Sequence, residues 1–148
     1  MDLSTYNFKT RPYAHQYTII ENTWNKNSFA LHLEMGLGKS RIVIDTLAIL
    51  WKKQKISHAL IIAPSGVYAN WLLEFDKHLP EDIPLELHLW KRLASQREGD
   101  AFKELILGDT GSLKVLLINI EALSTAKGQQ GAEVFLKKIP GALSLIHI

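Results

Sequence analysis

The chain alternates between short apolar runs and longer stretches in which apolar residues return every three or four positions. Phe29 to Leu33 (interrupted only by His32), His58 to Ala63, Pro84 to Leu89 and Leu113 to Ile118 are the short runs, and they predict strands. A continuous run such as His58 to Ala63 suits a strand buried on both faces of a parallel sheet. Ala14, Tyr17, Thr18, Ile20, Glu21 and Trp24 follow a moderate helical period behind Pro12, which suits a first helical turn, and Asn25 to Ser28 closes that helix. Ile42 to Leu50 predicts a second helix, with Val43, Leu47, Leu50 and Trp51 on one face. Val67, Trp71, Leu72, Phe75 and Leu79 mark a third, stopped by Pro80, in which Trp71 and Phe75 read as packing residues. Ala94 to Leu107 reads as a charged surface helix, Gly108-Asp109-Thr110-Gly111 as a turn, and residues 1–10 as an extended lead-in carrying Tyr6 and Phe8. Alternating strands and helices predict an α/β fold with a parallel sheet. Right-handed crossovers would put the strand-to-helix turns at one edge, as a single functional rim.

The first of those turns carries chemistry. Glu34-Met35-Gly36-Leu37-Gly38-Lys39-Ser40 lies between an apolar run and a helix. Glycines let the backbone curl so that successive N–H groups face one anion. The following helix adds its own free N–H groups and the positive end of its dipole. Lys39 would reach the β- and γ-phosphates of a nucleotide, and the Ser40 hydroxyl would ligate Mg²⁺. The strict pattern GxxxxGK[ST] asks for glycine where this chain has Leu33, while Gly36 to Ser40 are intact. The bland alternative is a structural turn, and the strand-then-helix context speaks against it. The companion turns on the rim are Pro64-Ser65-Gly66 and Asn119-Ile120-Glu121. By themselves, Gln16 reads as an exposed helix residue and Lys52, Lys53 and Lys55 as a solvated helix end.

Composition adds bounds. The 148 residues are the length of one domain, and 47% hydrophobic with 22% charged residues is a globular balance. There is no apolar run of membrane-spanning length and no secretory pattern at the start, so neither a membrane nor export is expected. No cysteine is present, which excludes disulfide and thiol chemistry. A net charge of +2 lacks the bias of a nucleic-acid-coating protein. A cytoplasmic protein, of prokaryotic or viral source, is the expectation.

Four segments in order resemble the first RecA-like lobe of a Swi/Snf-type superfamily-two helicase or DNA translocase. Arg11-Pro12-Tyr13-Ala14-His15-Gln16 resembles the Q-type adenine motif, and Glu34 to Ser40 resembles motif I, which in this family reads E-M-G-x-G-K-[ST]. Ala59 to Phe75, with Ala63-Pro64, Trp71, Glu74 and Phe75, resembles motif Ia, and Leu117 to Leu123 resembles motif Ib. The resemblance implies a P-loop NTPase fold, a RecA-like three-layer sandwich with a mostly parallel sheet, present as an incomplete lobe over residues 11–142. It implies ATP and Mg²⁺ as cofactors. Gln16, Glu34, Met35, Gly36, Leu37, Gly38, Lys39, Ser40 and Arg41 would hold the nucleotide, Gln16 by the adenine edge, and Ser40 the metal. Phe8 or Tyr13 would stack on the base. Pro64, Ser65, Asn119 and Glu121 would lie on the phosphate backbone of double-stranded DNA without reading its sequence. The parent protein would be a DNA-dependent ATPase that translocates on or remodels DNA, completed by a second RecA-like lobe with its arginine finger. Alternatives are another superfamily-two motor, a restriction-type translocase or an RNA helicase, or a non-catalytic nucleotide- or DNA-binding module.

The family's Asp-Glu pair, which anchors Mg²⁺ and activates water, does not follow Leu123, so no catalytic residue is expected within these residues. Leu143 to Ile148 can be back-translated as CTG TCT CTT ATA CAC ATC, a transposon-end sequencing adapter. Adapter read-through and a natural strand leading to the Asp-Glu pair are the two readings, and the gene's own codons separate them.

Overall fold

Four parallel strands take up most of the apolar runs. They are β1 (His58–Ile62), β2 (Leu85–Leu89), β3 (Leu113–Ile118) and β4 (Leu143–His147), in the order β2-β3-β1-β4. This is a computed structural model, and it describes residues 3–91, 95–108, 110–139 and, by backbone alone, 143–147. The expected helix start at Ala94, Asp109 of the expected turn and Ile148 lie outside the described residues. The chain divides into two compact units: Met1–Lys55 with Ala69–Ile83, and Ile56–Tyr68 with Pro84–Ile148.

The second unit holds the sheet. Its register sets His58 beside Lys114 and Leu143, and Leu85 beside Leu113. β3 is buried along its whole length, Lys114 included, whereas edge strand β2 is half-buried throughout. On one face Leu60, Leu116 and Ile118 pack with Leu105 and Ile106 of α4 (Gln96–Leu107) and with Ala132 and Phe135 of α6 (Ala126–Lys138). The helices here carry their own caps. Ser95 Oγ accepts from Glu98 N at 3.3 Å while the Glu98 carboxylate accepts from Ser95 N at 2.8 Å, a capping box. Asn119 Oδ1 accepts from Ala122 N at 2.6 Å to open α5 (Ile120–Leu123), and Thr125 Oγ1 accepts from Gly128 N at 3.0 Å to open α6.

Helix α6 is not legible from propensity, because Gly128 and Gly131 both weaken it. Packing explains them. A Cβ on Gly128 would lie 1.9 Å from the Ala122 carbonyl oxygen, and one on Gly131 would lie 2.2 Å from the Trp90 ring. The glycines let α6 close on α5 and on Trp90.

The first unit is helical: α1 (Ala14–Thr23), α2 (Lys39–Lys52) and α3 (Tyr68–His78), the last preceded by a 3-10 turn at Ser65–Val67. Its core joins Leu3, Ile20, Trp24, Ile42 and Ile49. Several expectations need correction here. Phe29 to Leu33 is not a strand. A strand exists only where a neighbour takes up its N–H and C=O groups, and this segment belongs to none of the paired ladders. Its alternation serves instead to lay Leu31 and Leu33 on the helical core. Helix α2 is buried on all sides from Arg41 to Ile49 rather than along one stripe. The buried face of α3 is Trp71, Phe75 and His78, while Val67 and Leu72 are exposed. The lead-in is not extended throughout, since Leu3–Thr5 forms a 3-10 turn and Leu3 is buried. The lysines after α2 are not merely solvated. Lys53 and Lys55 stand over the Trp24 ring at 4.9 and 5.3 Å, and Lys52 pairs with Asp82 at 2.7 Å.

Gly128→Ala tests the α5–α6 contact. Alanine gains helix propensity, but the obstacle is a backbone carbonyl that no side-chain rotation can move, so a net loss of about 1–3 kcal/mol is expected from the urea midpoint.

Candidate nucleotide site and strand-end turns

Gly36 and Gly38 both adopt left-handed backbone, with φ of +84° and +78°, a conformation that glycine enters without steric cost. The loop then turns directly into α2, with Gly38 in the N-cap position. No side chain caps this helix, unlike α4, α5 and α6. Its first N–H groups are therefore left for an anion or water. Lys39 and Ser40 are half-buried at this end. The side chains of Glu34, Met35 and Leu37 are exposed, so these residues offer the loop their main chain.

Gln16 is not the exposed helix residue its surroundings in sequence suggest. It is buried, and both ends of its amide are engaged. Oε1 accepts from Tyr13 N at 3.0 Å and Nε2 donates to the Leu37 carbonyl at 3.2 Å. In a trans peptide the Leu37 C=O and Gly38 N–H point to opposite sides, so holding the carbonyl fixes the direction of that N–H. The same contact demands glycine at 38, where a Cβ would lie 2.3 Å from Gln16 Nε2. Of the two aromatic candidates, Phe8 is packed with Tyr6 and Tyr17, at ring separations of 4.7 and 6.0 Å. Tyr13 is 72% exposed beside Gln16 and stacked on His15.

The Arg41 side chain turns away from the loop. Nε donates to Asp45 Oδ2 at 3.2 Å, Nη1 to the Arg11 carbonyl at 3.2 Å, and Nη2 to the Thr10 carbonyl. Any direct hold on a nucleotide thus falls to its main-chain N–H. Asp45, fully buried, also accepts from the Tyr6 hydroxyl at 3.3 Å. Burial pushes the Asp45 carboxyl up to about 6, against the pull of Arg41, and holds the Tyr6 hydroxyl above its ordinary range. Neither Tyr6 nor Asp45 stood out in the sequence. The available signal was an acid four residues after Arg41 inside an otherwise apolar helix, the spacing of an i,i+4 pair.

In the sheet unit, Pro64–Ser65 and Asn119 follow β1 and β3, neighbours whose ends coincide: Ile62 is paired with Ile118, and Ala63 N donates to the Ile118 carbonyl at 3.0 Å. The two turns thus share one edge of the sheet. Pro64, Ser65 and Gly66 are exposed. Asn119 is half-buried, its oxygen is spent on the α5 cap, and its side chain also interacts with the Tyr68 hydroxyl. Glu121 is exposed in the first turn of α5, where the dipole favours an acid. Tyr68 lies against these residues. Burial, with the Glu121 charge added, pushes its hydroxyl up to about 12. Trp71 and Phe75 are packing residues, each 2% exposed.

The fold and the loop define an α/β protein of P-loop type. The model of the type III restriction enzyme, res subunit, matches residues 9–141, and the chain belongs to that family. It is 32% identical over 120 residues to the ATP-dependent helicase fft3 of Schizosaccharomyces pombe, covering 77% of this chain and 12% of that protein. It is 29% identical over 113 residues to the ATP-dependent helicase FUN30 of Saccharomyces cerevisiae, covering 76% and 9%. The Sulfolobus solfataricus SWI2/SNF2 ATPase core, solved in complex with dsDNA, superposes with a TM-score of 0.58 at 18% identity, over 99% of this chain and 34% of that one. That likeness bears out the RecA-like fold, as an incomplete lobe. The chain thus spans about an eighth of the length of fft3.

Asp45→Ala should cost about 3–5 kcal/mol near pH 7.5, because it strands the buried Arg41 charge. The folded-state value of about 6 lies above the ordinary 3.8. Below about 6 the native carboxyl takes up a proton that the unfolded chain binds only near 3.8, so lowering the pH from 7.5 to 5 stabilises the wild type and not the variant. The penalty, read from denaturant midpoints, should therefore grow at pH 5.

Proposed function

We propose that this chain is the ATP-binding part of a DNA-dependent ATPase that translocates on or remodels double-stranded DNA. The observation that carries the reading is the uncapped start of α2 behind two left-handed glycines, directly followed by Lys39 and Ser40. The names of the yeast relatives support ATP-driven helicase activity in the parent protein, and the archaeal neighbour's DNA supports the partner.

The residues present fit Mg²⁺-ATP. The N–H groups of Gly36 and of Gly38 to Arg41 receive the phosphates, Lys39 sets a positive charge against the β- and γ-phosphates, and the Ser40 hydroxyl meets the metal. When bound, Mg²⁺ neutralises charge that develops on the transferred phosphoryl group. Tyr13 offers a face to the base. The Gln16 amide keeps one N–H and one lone pair beyond its two bonds for the adenine edge. Ser65 and the Asn119 amide hold DNA phosphates with short polar groups that read no sequence. The Glu121 carboxylate would repel phosphate, so its part is confined to the main chain. Water activation, the second metal anchor and the arginine finger are supplied by other parts of the parent protein, the second RecA-like lobe among them. Such a protein works inside the cell, where ATP and DNA are found. The family, that of the type III restriction enzyme res subunit, favours a second reading, a restriction-type translocase. ATP-dependent cleavage of DNA by the intact protein would favour that one, and turnover without cleavage favours the first.

Lys39→Ala in the intact protein should abolish ATP hydrolysis at saturating ATP, by removing the charge that faces the transferred phosphate. Phosphate release at the wild-type rate would sink the assignment. Ser65→Ala together with Asn119→Ala should weaken binding to DNA duplexes of unrelated sequence by a similar factor. A loss confined to one sequence, measured by anisotropy at several salt concentrations, would remove these turns from the DNA track.

A further inference from the structure

Arg41 and its partners close a ring around the nucleotide seat. From Arg41 the guanidinium reaches the Thr10 and Arg11 carbonyls. The chain then runs through Pro12 to Tyr13, whose N–H is held by Gln16, whose amide holds Leu37. Leu37 leads through Gly38, Lys39 and Ser40 back to Arg41. The base-side segment, residues 10–16, is therefore tied to the phosphate loop at two points, before and after the Lys39-Ser40 pair. The tie is buried and braced. Arg41 is 6% exposed, Asp45 takes its Nε, the Tyr6 hydroxyl reaches the other Asp45 oxygen, and Thr10 Oγ1 bonds His78 Nδ1 at 2.6 Å. Both acceptors on the base side are main-chain carbonyls, so what is fixed is the path of the chain entering the Tyr13–Gln16 segment.

We infer that Arg41 is a positioning residue, held by Asp45 and Tyr6, that sets the base-side segment at the right distance from the phosphate loop and so couples recognition of the base to recognition of the phosphates. This rests on the nucleotide reading above. A guanidinium suits the task, since its planar fork serves two carbonyls and a carboxylate at once. A lysine ammonium cannot hold that geometry.

A ligand with phosphates and no base separates this role from simple support of the loop. Calorimetry on the intact protein would compare Mg²⁺-ATP with Mg²⁺-tripolyphosphate for the wild type, Lys39→Ala, Arg41→Gln, Arg41→Lys and Tyr6→Phe. Arg41→Gln is expected to weaken ATP by about tenfold or more while tripolyphosphate stays within about twofold, because only misplacement of the base contacts is lost. Arg41→Lys should fail to restore ATP affinity. Tyr6→Phe keeps the ring packed against Phe8 and removes one brace, so it should shift ATP in the same direction by less. It carries the test if the Arg41 variants do not fold. Equal losses for both ligands, or no loss for ATP, would overturn the inference. The nucleotide reading fails differently: the wild type would bind neither ligand, or Lys39→Ala would leave both unchanged, and the inference would fall with it.

Discussion

Helix α2 begins at Gly38, which has no side chain to cap it, and among the described residues no side chain bonds its first N–H groups; that is the constraint on the unit around it. Three other helices of the chain spend a serine, an asparagine or a threonine on this task, each cap worth about 1 kcal/mol. Leaving α2 uncapped forgoes a similar amount. The neighbourhood makes up for it elsewhere. α2 is buried from Arg41 to Ile49, and full burial of one Ile or Leu side chain is worth about 1.5–3 kcal/mol. The open end can therefore be kept for an anion without endangering the helix.

Much of this was legible in the sequence, for identifiable reasons. β1 and β3 were visible because a strand buried on both faces leaves a short, mostly apolar run, and turn residues bound each of these. The Gly36–Ser40 turn was visible because its geometry needs glycine at fixed places. The segment 29–33 misled because an apolar run is only half of what makes a strand. The other half is a partner, which lies far away in sequence. Helix α6 was hidden by the reverse effect. Its glycines argue against a helix locally, and are explained only by the Ala122 carbonyl and the Trp90 ring against which they pack.

Site residues divide along the same line. Lys39 and Ser40 belong to a local motif and needed no fold to be found. Arg41 was found by adjacency, and its side chain is used differently: its partners lie 30 and 31 residues back along the chain, in carbonyls that have no sequence signature. Phe8 and Tyr13 look alike in sequence, because both are aromatic and both precede Gln16, but the fold packs Phe8 and leaves Tyr13 exposed. Exposure of a ring depends on what else the fold brings to it.

On the proposed nucleotide reading, Gln16 serves two roles with one side chain. A primary amide has two N–H groups and an oxygen with two lone pairs. One of each is consumed within the protein, on Leu37 and Tyr13. What remains is one donor and one acceptor side by side, the pair needed to meet a base edge that itself presents one acceptor and one donor. The internal bonds fix the amide's orientation, since flipping the group would set N–H against N–H at Tyr13 and C=O against C=O at Leu37. A base edge would thus meet a group whose donor and acceptor cannot exchange places, and discrimination follows from that fixity more than from the bond count. The same amide holds the Leu37 carbonyl, so a base that pulled on Gln16 would also pull on the loop that receives the phosphates.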